Sequence, residues 1–408
     1  MANKVCLIGS DMNTYYMARC YYEMFGEPVD VIGTEPIRFT QFSSIVKITY
    51  HSDLKQNESF TRILNEFAAS QQADDRILLI PCHDIYVRLL TECAEGLDKR
   101  FVWNCPKLDI VDTFLVKDKF YKEFANSELS FAKTIYYDCS QKETAPIPTD
   151  MMYPLIIKPG NGIMYGKHHF EGQPKVFKAT TPDNATNFID KVKASGYTDV
   201  LIVQEFIPGD DTRLHDCIFY VNSKGRAELA TFAQIGLQEH TPTALGNCTV
   251  LINGYSEFGN VDETVEKFRN FLERIGYTGF AEFDLKYDYR DKTYKVLEIN
   301  PRQARSSYYL DCLGHNLVKM LMEDVFEGAE HDFELEKGEF LLSMVPKSVI
   351  RDFIANDAYK AKAFELMKAN KCADPLKFKG EKSFKHKLYL VLRARNYKKK
   401  YRANTHTI

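Results

Sequence analysis

The stretch from residue 279 to residue 305, GFAEFDLKYDYRDKTYKVLEINPRQAR, constrains the fold of this chain more than any other. Residues 280–287 alternate apolar and polar side chains, which is typical of a β-strand with one buried face. A second strand pattern covers residues 293–299, and only the polar segment 289–292 separates the two. The sequence therefore predicts an antiparallel hairpin.

Three side chains of the predicted hairpin have the chemistry of a magnesium site. Pairing of the two strands would bring the carboxylates of Asp284 and Glu298 near each other, with the amide of Asn300 beside them. Carboxylate and amide oxygens are hard ligands that suit Mg²⁺. Glu282 lies two residues before Asp284 on the same face and is an alternative ligand. An acidic hairpin can also be a solvated surface, so other stretches must decide between the two.

Length and composition restrict the class of protein. A chain of 408 residues is too long for one compact domain and favours two or three layered ones. No apolar run approaches the roughly 20 residues that cross a bilayer, and the short apolar start at residues 4–9 is typical of a buried strand rather than a signal peptide. The ten cysteines form no CxxC pair, so we expect no zinc site and a reducing, cytoplasmic location.

The N-terminal part of the chain has the pattern of a parallel α/β sheet. A strand at residues 4–9 is followed by a helical pattern at residues 13–25 and a second strand at residues 29–33, and a third strand covers residues 76–81. Ligands of such sheets bind at the carboxyl ends of the strands. The polar side chains at these ends are Ser10, Asp11, His83 and Asp84. The GxGxxG fingerprint is absent, so NAD binding is not expected.

Lysines and glycines in the second quarter of the chain could hold phosphate groups. Residues 112–126 form a Lys-rich helical pattern that carries Lys119, with Lys117 as an alternative two residues earlier. Lys158 ends an apolar strand pattern, and a glycine-rich loop, residues 160–167, follows directly. Such a loop can approach phosphates, because glycine has no Cβ and leaves its N–H groups accessible. The glycines of the loop are Gly160, Gly162 and Gly166.

The next strand pattern, residues 200–206, runs into a loop with candidate nucleotide contacts. Glu205 ends the strand, and the backbone at Phe206 and Ile207 can hydrogen-bond a planar base. The carboxylates available for ribose hydroxyls are those of Asp210 and Asp211. Beyond the hairpin, the arginines that could hold a phosphate or a carboxylate are Arg302 and Arg305. Each feature alone is a weak signal, but the whole set in this order is specific.

These features, taken in this order, resemble the ATP-grasp ligases. The resemblance covers roughly residues 112–310, and the N-terminal α/β unit is similar to the domain that precedes the ATP-grasp core in that family. It implies an α/β (α+β) fold in which a Rossmann-like pre-ATP-grasp domain, residues 1–111, precedes a two-lobed ATP-grasp domain, residues 112–325. The smaller lobe would cover about residues 130–205, and a C-terminal extension with a basic tail, residues 326–408, would follow.

By that resemblance, the candidates divide into residues for ATP and residues for the metal. Lys119 and Lys158 would hold the phosphates of ATP beneath the closing loop 160–167. The residues implied for adenine and ribose are Glu205, Phe206, Ile207, Asp210 and Asp211. The residues implied for Mg²⁺, expected as two ions, are Asp284, Glu298 and Asn300.

The implied reaction is an ATP-dependent carboxylate–amine ligation. A carboxylate attacks the γ-phosphate of ATP, which gives an acyl phosphate and ADP, and an amine then displaces phosphate. The protein supplies charge and position rather than a covalent nucleophile, so the lack of a Ser-His-Asp or Cys-His signature is no objection. Arg302 and Lys158 would act in catalysis by stabilising the transferring phosphoryl group, and Arg302 and Arg305 would also lie near the substrate.

Within the family, the opening segment LIGSDMNTYYMARCYYEMFG and the overall layout most resemble the D-aspartate ligases of Gram-positive peptidoglycan synthesis. Those enzymes join the β-carboxylate of D-aspartate to the lysine amine of the UDP-MurNAc-pentapeptide. The residues that this resemblance implies at the substrate end of the cleft are Ser10, Asp11, Met12 and Asn13. Another ATP-grasp amino-acid or dipeptide ligase is the first alternative. A non-catalytic nucleotide-binding protein is the second, although Glu298, Asn300 and Arg302 favour an enzyme.

The C-terminal segment is strongly basic. From residue 377 to the end it carries eleven lysines and arginines and one acid, Glu381, so its net charge is +10 and that of the remainder is about −13. Aromatic residues lie among the cations. This pattern favours a solvated terminal helix that covers apolar surface, and it leaves open a contact with an anionic substrate or with anionic lipid. Nucleic acid is not expected as a partner, because one basic stretch without a recognisable fold is poor support for it.

Overall fold

A five-stranded parallel sheet opens the chain in this computed structural model, which describes residues 2–241 and 246–404. Its strands are β1 (Asn3–Ile8), β2 (Val29–Gly33), β3 (Val46–Tyr50), β4 (Arg76–Pro81) and β5 (Phe101–Val102). Their spatial order, β3-β2-β1-β4-β5, is that of the predicted Rossmann-like sheet. Its helices are α1 (Met12–Phe25), α2 (Arg38–Gln41), α3 (Asn57–Ala69) and α4 (Asp84–Glu92), with a 3₁₀ turn at Ala94–Gly96. Two further helices, α5 (Leu108–Leu115) and α6 (Lys117–Glu123), follow.

A smaller antiparallel sheet comes next. Its strands are β6 (Thr134–Asp138), β7 (Leu155–Pro159), β8 (Phe177–Ala179) and β9 (Val200–Glu205), in the order β6-β9-β7-β8. Its helices are α7 (Gly162–Tyr165) and α8 (Pro182–Ala194). Leu155 and Ile157 of β7 are buried in the core that this sheet shares with α8. Because side chains alternate along a strand, Lys158 points to the opposite side of the sheet, away from that core.

A large, mainly antiparallel sheet completes the fold. Its strands are β10 (Leu214–Val221), β11 (Ala227–Thr231), β12 (Ala233–Gln238), β13 (Cys248–Asn253), β14 (Gly279–Asp288), β15 (Thr293–Asn300), β16 (Glu334–Glu336), β17 (Phe340–Ser343) and β18 (Cys372–Ala373). Its helices are α9 (Val261–Arg274), α10 (Tyr309–Cys312), α11 (Leu317–Met322), α12 (Lys347–Phe353), α13 (Asp357–Lys368) and α14 (Phe384–Ala403). A 3₁₀ turn at Asp211–Arg213 precedes β10, and a π-helical turn at Glu323–Glu327 follows α11. The predicted hairpin is β14 and β15, and β14 also pairs with β10.

The N-terminal sheet packs against the large sheet. One hydrophobic cluster joins Leu7 of β1 with Ile218 of β10 and Leu251 of β13. The carboxyl end of β4 also touches the segment after β15, because Nε2 of Gln303 donates a hydrogen bond to the Pro81 carbonyl at 3.4 Å. This packing sets the strand ends of the first sheet beside the predicted arginines.

Several details differ from the predicted elements. The predicted helix 112–126 is two helices, α5 and α6, because Val116 between them has an extended backbone. The loop 160–167 contains the short helix α7, and β3 and α3 have no counterpart in the prediction. No helix of the described ranges combines the length and the apolar character that crossing a bilayer requires.

Candidate active site

The hairpin forms the centre of the site. β14 and β15 pair antiparallel, with Asp284 directly opposite Glu298 and Glu282 opposite Asn300. Directly opposed residues point to the same side of a sheet, so these four side chains share one face. Nδ2 of Asn300 donates to Oδ2 of Asp284 at 3.2 Å. The structure thus brings together the three side chains that the sequence predicts for Mg²⁺.

Asp216 extends this row of carboxylates, and sequence reasoning missed it. It lies on β10 directly opposite Asp284, so Asp216, Asp284 and Glu298 form a row across three strands. Its side chain is buried, the hydroxyl of Ser306 donates to Oδ2, and Oδ1 has no hydrogen-bond partner among the described residues. No local motif marks Asp216, because only the pairing of β10 with β14 places it here.

Lys117 reaches this row, whereas Lys119 does not. Nζ of Lys117 donates to Oε2 of Glu298 in an ion pair, and this cation lowers the pKa of Glu298 to about 2, against the effect of burial. Lys119 is exposed. Of the two predicted alternatives, the geometry therefore favours Lys117 over Lys119. The physical reason is the extended residue Val116, which begins α6 anew and sets Lys117 in its first turn, facing β15.

Lys158 approaches the same row from the smaller sheet. Its Nζ donates to the Tyr121 hydroxyl at 3.0 Å, and that hydroxyl donates to the Leu297 carbonyl at 2.6 Å. The ammonium also lies 4.9 Å from the centre of the Tyr121 ring and contributes to the low pKa of Glu298. Two lysines from different parts of the chain therefore place positive charge beside Glu298.

Arg302 is held between acids of the two sheets that meet here. Nη1 donates to Oε2 of Glu282 at 2.6 Å, and Nε lies 2.9 Å from Oδ1 of Asp84 at the start of α4. Burial opposes the charge of the guanidinium, but these two carboxylates raise the pKa of Arg302. Because Arg302 engages Glu282 while Asp284 lies against Asn300, the geometry favours Asp284 over Glu282 as a metal ligand.

This face holds more carboxyl groups than cationic side chains. Its carboxylates are those of Asp84, Asp216, Glu282, Asp284 and Glu298, and its cations are Lys117, Lys158 and Arg302. Burial and the charges of Glu282 and Glu298 raise the pKa of Asp284 well above its ordinary value, and burial with Glu282 does the same for Asp216. A divalent cation would remove this repulsion, and the donors are all oxygens. The residues present therefore fit Mg²⁺.

A cavity of about 210 Å³ opens beside the predicted nucleotide contacts. Phe206, Asp210 and Asp211 line it, together with Lys286 of β14. Lys286 lies two residues beyond Asp284 on the same face, so the cavity begins about 7 Å along the sheet from the carboxylate row. Glu205 and Ile207 are buried and do not line this cavity.

The acids of this region already have protein partners. Asp211 accepts from N and Nε2 of Gln238 at 3.0 and 2.7 Å, and Nε2 of His240 lies 2.8 Å from its Oδ2. Asp210 caps the 3₁₀ turn, and its Oδ1 accepts hydrogen bonds from N and Oγ1 of Thr212. Oε1 of the remaining acid, Glu205, accepts from the Met152 amide at 3.1 Å. Of the two aspartates at the cavity, Asp211 is the more fully engaged.

The end of α14 completes the wall of the cavity. The Tyr401 hydroxyl donates to the carbonyl of Gln238 at 2.8 Å, and Nζ of Lys400 donates to Oε2 of Glu239 at 2.6 Å. Asn404 lines the cavity itself. The basic tail therefore packs against the end of β12, where Gln238 hydrogen-bonds to Asp211. The composition of the tail does not reveal this contact.

Comparison with known proteins gives a relative and a fold. No family model matches the chain. A D-aspartate ligase from Enterococcus faecium (strain Aus0004) is 29% identical over 403 residues, which cover 96% of this chain and 94% of that protein. An L-amino acid ligase from Bacillus licheniformis superposes with a TM-score of 0.56 at 13% identity, over 80% of this chain and 74% of that one. The biotin carboxylase domain of Hydrogenobacter thermophilus 2-oxoglutarate carboxylase, solved with MgADP, ADP and bicarbonate, gives 0.59 at 12% identity, over 83% and 73%.

The chain has the ATP-grasp fold. At these identities the solved structures establish the fold alone. The similarity to a D-aspartate ligase over nearly the whole chain confirms the resemblance found in the sequence. That similarity to a named ligase also confirms the predicted enzyme class, an ATP-dependent carboxylate–amine ligase.

The glycine loop of this ATP-grasp fold is only partly explained by packing. A Cβ on Gly160 would lie 2.8 Å from Oδ1 of Asp118, so a larger residue would require the Asp118 side chain to move. Gly162 and Gly166 are exposed, and the Gly166 amide donates to the Gly162 carbonyl at 3.0 Å. Closure of this loop over ATP stays a prediction.

The candidates for substrate lie beside the segment that carries Arg302. Asp11 caps α1, Ser10 is buried, and Nδ2 of Asn13 donates to the Gln303 carbonyl at 3.4 Å. Arg305 is half-buried and forms no ion pair within residues 2–241 and 246–404. The structure therefore brings the carboxyl end of β1 to the cations that follow the hairpin.

Proposed function

We propose that the protein joins the β-carboxylate of D-aspartate to an amine at the expense of ATP, with the lysine side chain of the UDP-MurNAc-pentapeptide as the acceptor. The observation that carries the proposal is the row Asp216–Asp284–Glu298, flanked by Lys117 and Arg302, in a chain whose full-length relative is a D-aspartate ligase. ATP and a UDP-linked precursor are both cytoplasmic compounds, so we propose that the reaction takes place in the cytoplasm.

Asp284, Glu298 and Asn300 are the proposed ligands of Mg²⁺, which we expect as two ions. Bound Mg²⁺ supplies positive charge that neutralises the phosphates of ATP. The low pKa of Glu298, about 2, keeps this ligand ionised throughout the neutral range because Lys117 lies against it. Asp216 places a further carboxyl group behind Asp284, and a bound cation would favour the ionised form that burial and Glu282 disfavour.

Two lysines are proposed to hold the phosphates. Lys117 on α6 and Lys158 at the end of β7 both lie close enough to Glu298 to lower its pKa. A γ-phosphate bound beside them would meet two ammonium groups. Loop 160–167 follows Lys158 directly, and its accessible N–H groups would contact the same phosphates.

The cavity beside Phe206 is the proposed site of the nucleoside. The ammonium groups of Lys178 and Lys286 lie 4.1 and 4.9 Å from the centre of the Phe206 ring. An adenine bound here would contact the apolar ring of Phe206, and Lys178 and Lys286 would lie near its phosphates. Asp210 is the proposed ribose contact, because Asp211 is engaged by neighbouring side chains. Glu205 would act indirectly, through the backbone that it holds.

Arg302 and Arg305 are proposed to orient the substrate carboxylates. One carboxylate oxygen of the aspartate attacks the γ-phosphorus, the bond to ADP breaks, and an acyl phosphate forms. The amine then attacks the acyl carbon, phosphate leaves with that oxygen, and the amine releases a proton. Arg302 would hold the phosphoryl oxygens during transfer, since a fixed guanidinium requires no reorganisation as charge develops. The carboxyl end of β1, with Ser10 and Asp11, would border the acceptor.

A substrate screen with product analysis tests this proposal. The purified protein is incubated with ATP, Mg²⁺, a lysine-bearing cell-wall precursor and one amino acid at a time, and phosphate release is measured beside the product mass. We expect release with D-aspartate, and a product heavier than the acceptor by one aspartyl residue. Release with another amino acid alone would indicate a different ATP-grasp ligase. ATP binding with no phosphate release for any pair would overturn the enzyme assignment.

A further inference from the structure

The last helix, α14, has two faces of different character. One face packs on the protein through His386, Tyr397 and Tyr401, which are buried. At 100° per residue, the opposite face begins with four large apolar residues and ends with basic ones. The apolar residues are Phe384, Leu388, Val391 and Leu392. The basic residues are Arg395 and Lys399.

The apolar half of the outer face is open to solvent. Phe384 is 76% exposed, and Leu388, Val391 and Leu392 are 46%, 50% and 49% exposed. They account for half of the large apolar side chains that are strongly exposed in residues 2–241 and 246–404. Their spacing of four, seven and eight residues forms one stripe along the helix, where a solvated helix ordinarily has polar residues. A contiguous stripe of this kind marks an interaction surface.

Cations without protein partners surround the stripe. On the packed side, Lys398 pairs with Asp352 and Lys400 with Glu239. On the outer side, none of the cations forms an ion pair within the described part of the chain. These outer cations are Lys382, Lys385, Lys387, Arg395 and Lys399. The helix therefore keeps its acidic contacts inward and directs unpaired positive charge outward.

An apolar groove continues the stripe. Its volume is about 1030 Å³, and its apolar lining includes Leu376, Phe378, Leu390 and Val391. Val391 belongs to both the stripe and the groove. The cations that line the groove are Lys377, Lys379, Lys387, Arg395 and Lys398. Apolar surface and positive charge thus extend together from the helix onto the adjoining segment.

We propose that this surface docks the protein on an anionic membrane, with α14 lying in the plane of the interface. The apolar stripe would enter the boundary between headgroups and acyl chains, while the outer lysines contact lipid phosphates. A net charge of +10 from residue 377 onward complements such a surface. A second copy of this chain fits poorly, since two basic helices would repel each other. Nucleic acid would match the charge but leave the stripe exposed.

Sedimentation with lipid vesicles tests the proposal on the full chain. Vesicles of phosphatidylglycerol mixed with phosphatidylcholine are compared with vesicles of phosphatidylcholine alone, at low and high salt. We expect binding to the anionic vesicles that weakens with salt. Each surface lysine contributes about 1 kcal/mol, so the triple change Lys385→Gln, Lys387→Gln and Lys399→Gln should weaken binding on the order of 100-fold. Leu388→Ser with Leu392→Ser should weaken it at least about tenfold.

Matched controls separate this surface from general effects. Met152→Ser removes a side chain of similar exposure, 52%, far from α14 in the chain and should bind vesicles normally. Circular dichroism establishes that each variant is folded. No binding to anionic vesicles, or binding that neither α14 variant weakens, would overturn the proposal. Loss with the lysine variant only would contradict insertion of the stripe. A concentration-dependent dimer that the serine variant dissociates, without vesicle binding, would show that a second copy covers this face instead.

Discussion

Replacing Lys117 by methionine should disable the enzyme, whereas the same change at Lys119, two residues later on α6, should not. Lys117 pairs with Glu298 at the carboxylate row, while Lys119 is exposed. Methionine keeps most of the length and the apolar contacts of lysine, so the change removes chiefly the charge. The two variants form a matched pair, because each makes the same chemical change and the two positions lie two residues apart at the start of the same helix.

The expected loss follows from the position of the ammonium. A fixed charge beside a developing oxyanion in a water-excluded site contributes about 2.7–4 kcal/mol, which corresponds to a factor of about 100 to 1000 in rate. The Lys117 side chain is 33% exposed, and solvent screening moves the expectation to the lower end, a loss of about 100-fold in kcat/KM for ATP. For Lys119→Met we expect a change of less than about twofold.

Initial rates of phosphate release at saturating aspartate and acceptor give these values. Far-UV circular dichroism controls for folding. Equal losses in the two variants, or nearly normal turnover in Lys117→Met, would refute the assignment of Lys117 to the phosphate site.

Three further predictions concern charge and the nucleotide wall. Asp284→Asn should raise the melting temperature in EDTA by about 1–3 °C, because it removes a carboxylate that burial and Glu282 disfavour, and it should lower turnover more than about 100-fold. A lower melting temperature, or a stabilisation by Mg²⁺ equal to that of the wild type, would contradict this. Burial lowers the pKa of Lys286 to about 8, so its charge is present below that pH and is lost above it. The KM for ATP should therefore rise between pH 7 and pH 9. The same rise of KM with pH in a Lys286→Gln variant would argue against a contact between Lys286 and the nucleotide. Tyr401→Phe removes the two hydrogen bonds of the hydroxyl, to the Gln238 carbonyl and to the Thr249 hydroxyl, so the KM for ATP should rise about fivefold with kcat nearly unchanged. An unaltered KM would separate the tail from the nucleotide site.

The hairpin could be predicted from the sequence because its information is local. A period of two and a four-residue polar turn predict the hairpin and the pairing of Asp288 with Thr293. The register that the turn sets would place Asp284 opposite Leu297, and a β-bulge between Asp284 and Leu285 brings Glu298 there instead. Asp216 could not be found in this way, because its position depends on which distant strand pairs with β14. A buried strand with one acid among apolar residues, LHDCIFYV, was the only signal available.

The choice between Lys117 and Lys119 depended on a backbone detail that composition does not encode. Residues 112–126 contain neither proline nor glycine, so the pattern predicts one continuous helix. The extended conformation of Val116 breaks that helix, and the phase of the second helix sets which lysine faces β15. Tertiary packing of α5 and α6 overrode local propensity here.

The basic tail shows the same limit at a larger scale. Its composition predicts a helix that covers apolar surface, and α14 does so through Tyr397 and Tyr401. The sequence could not assign which apolar residues face inward, because Leu388 and Leu392 are as hydrophobic as those that are buried. Their exposure is a property of the docking angle of α14, which is set by residues of α2, α12 and β12 far away in the chain.

The most direct test of the central claim follows one oxygen atom. D-Aspartate labelled with ¹⁸O in its β-carboxylate is converted with unlabelled ATP, Mg²⁺ and the lysine-bearing acceptor, and the released phosphate is analysed by mass spectrometry. If the carboxylate attacks the γ-phosphate at the site built around Asp284, Glu298, Lys117 and Arg302, each phosphate should carry one ¹⁸O and ADP should form in equal amount. Unlabelled phosphate, or AMP with pyrophosphate, would contradict activation through an acyl phosphate.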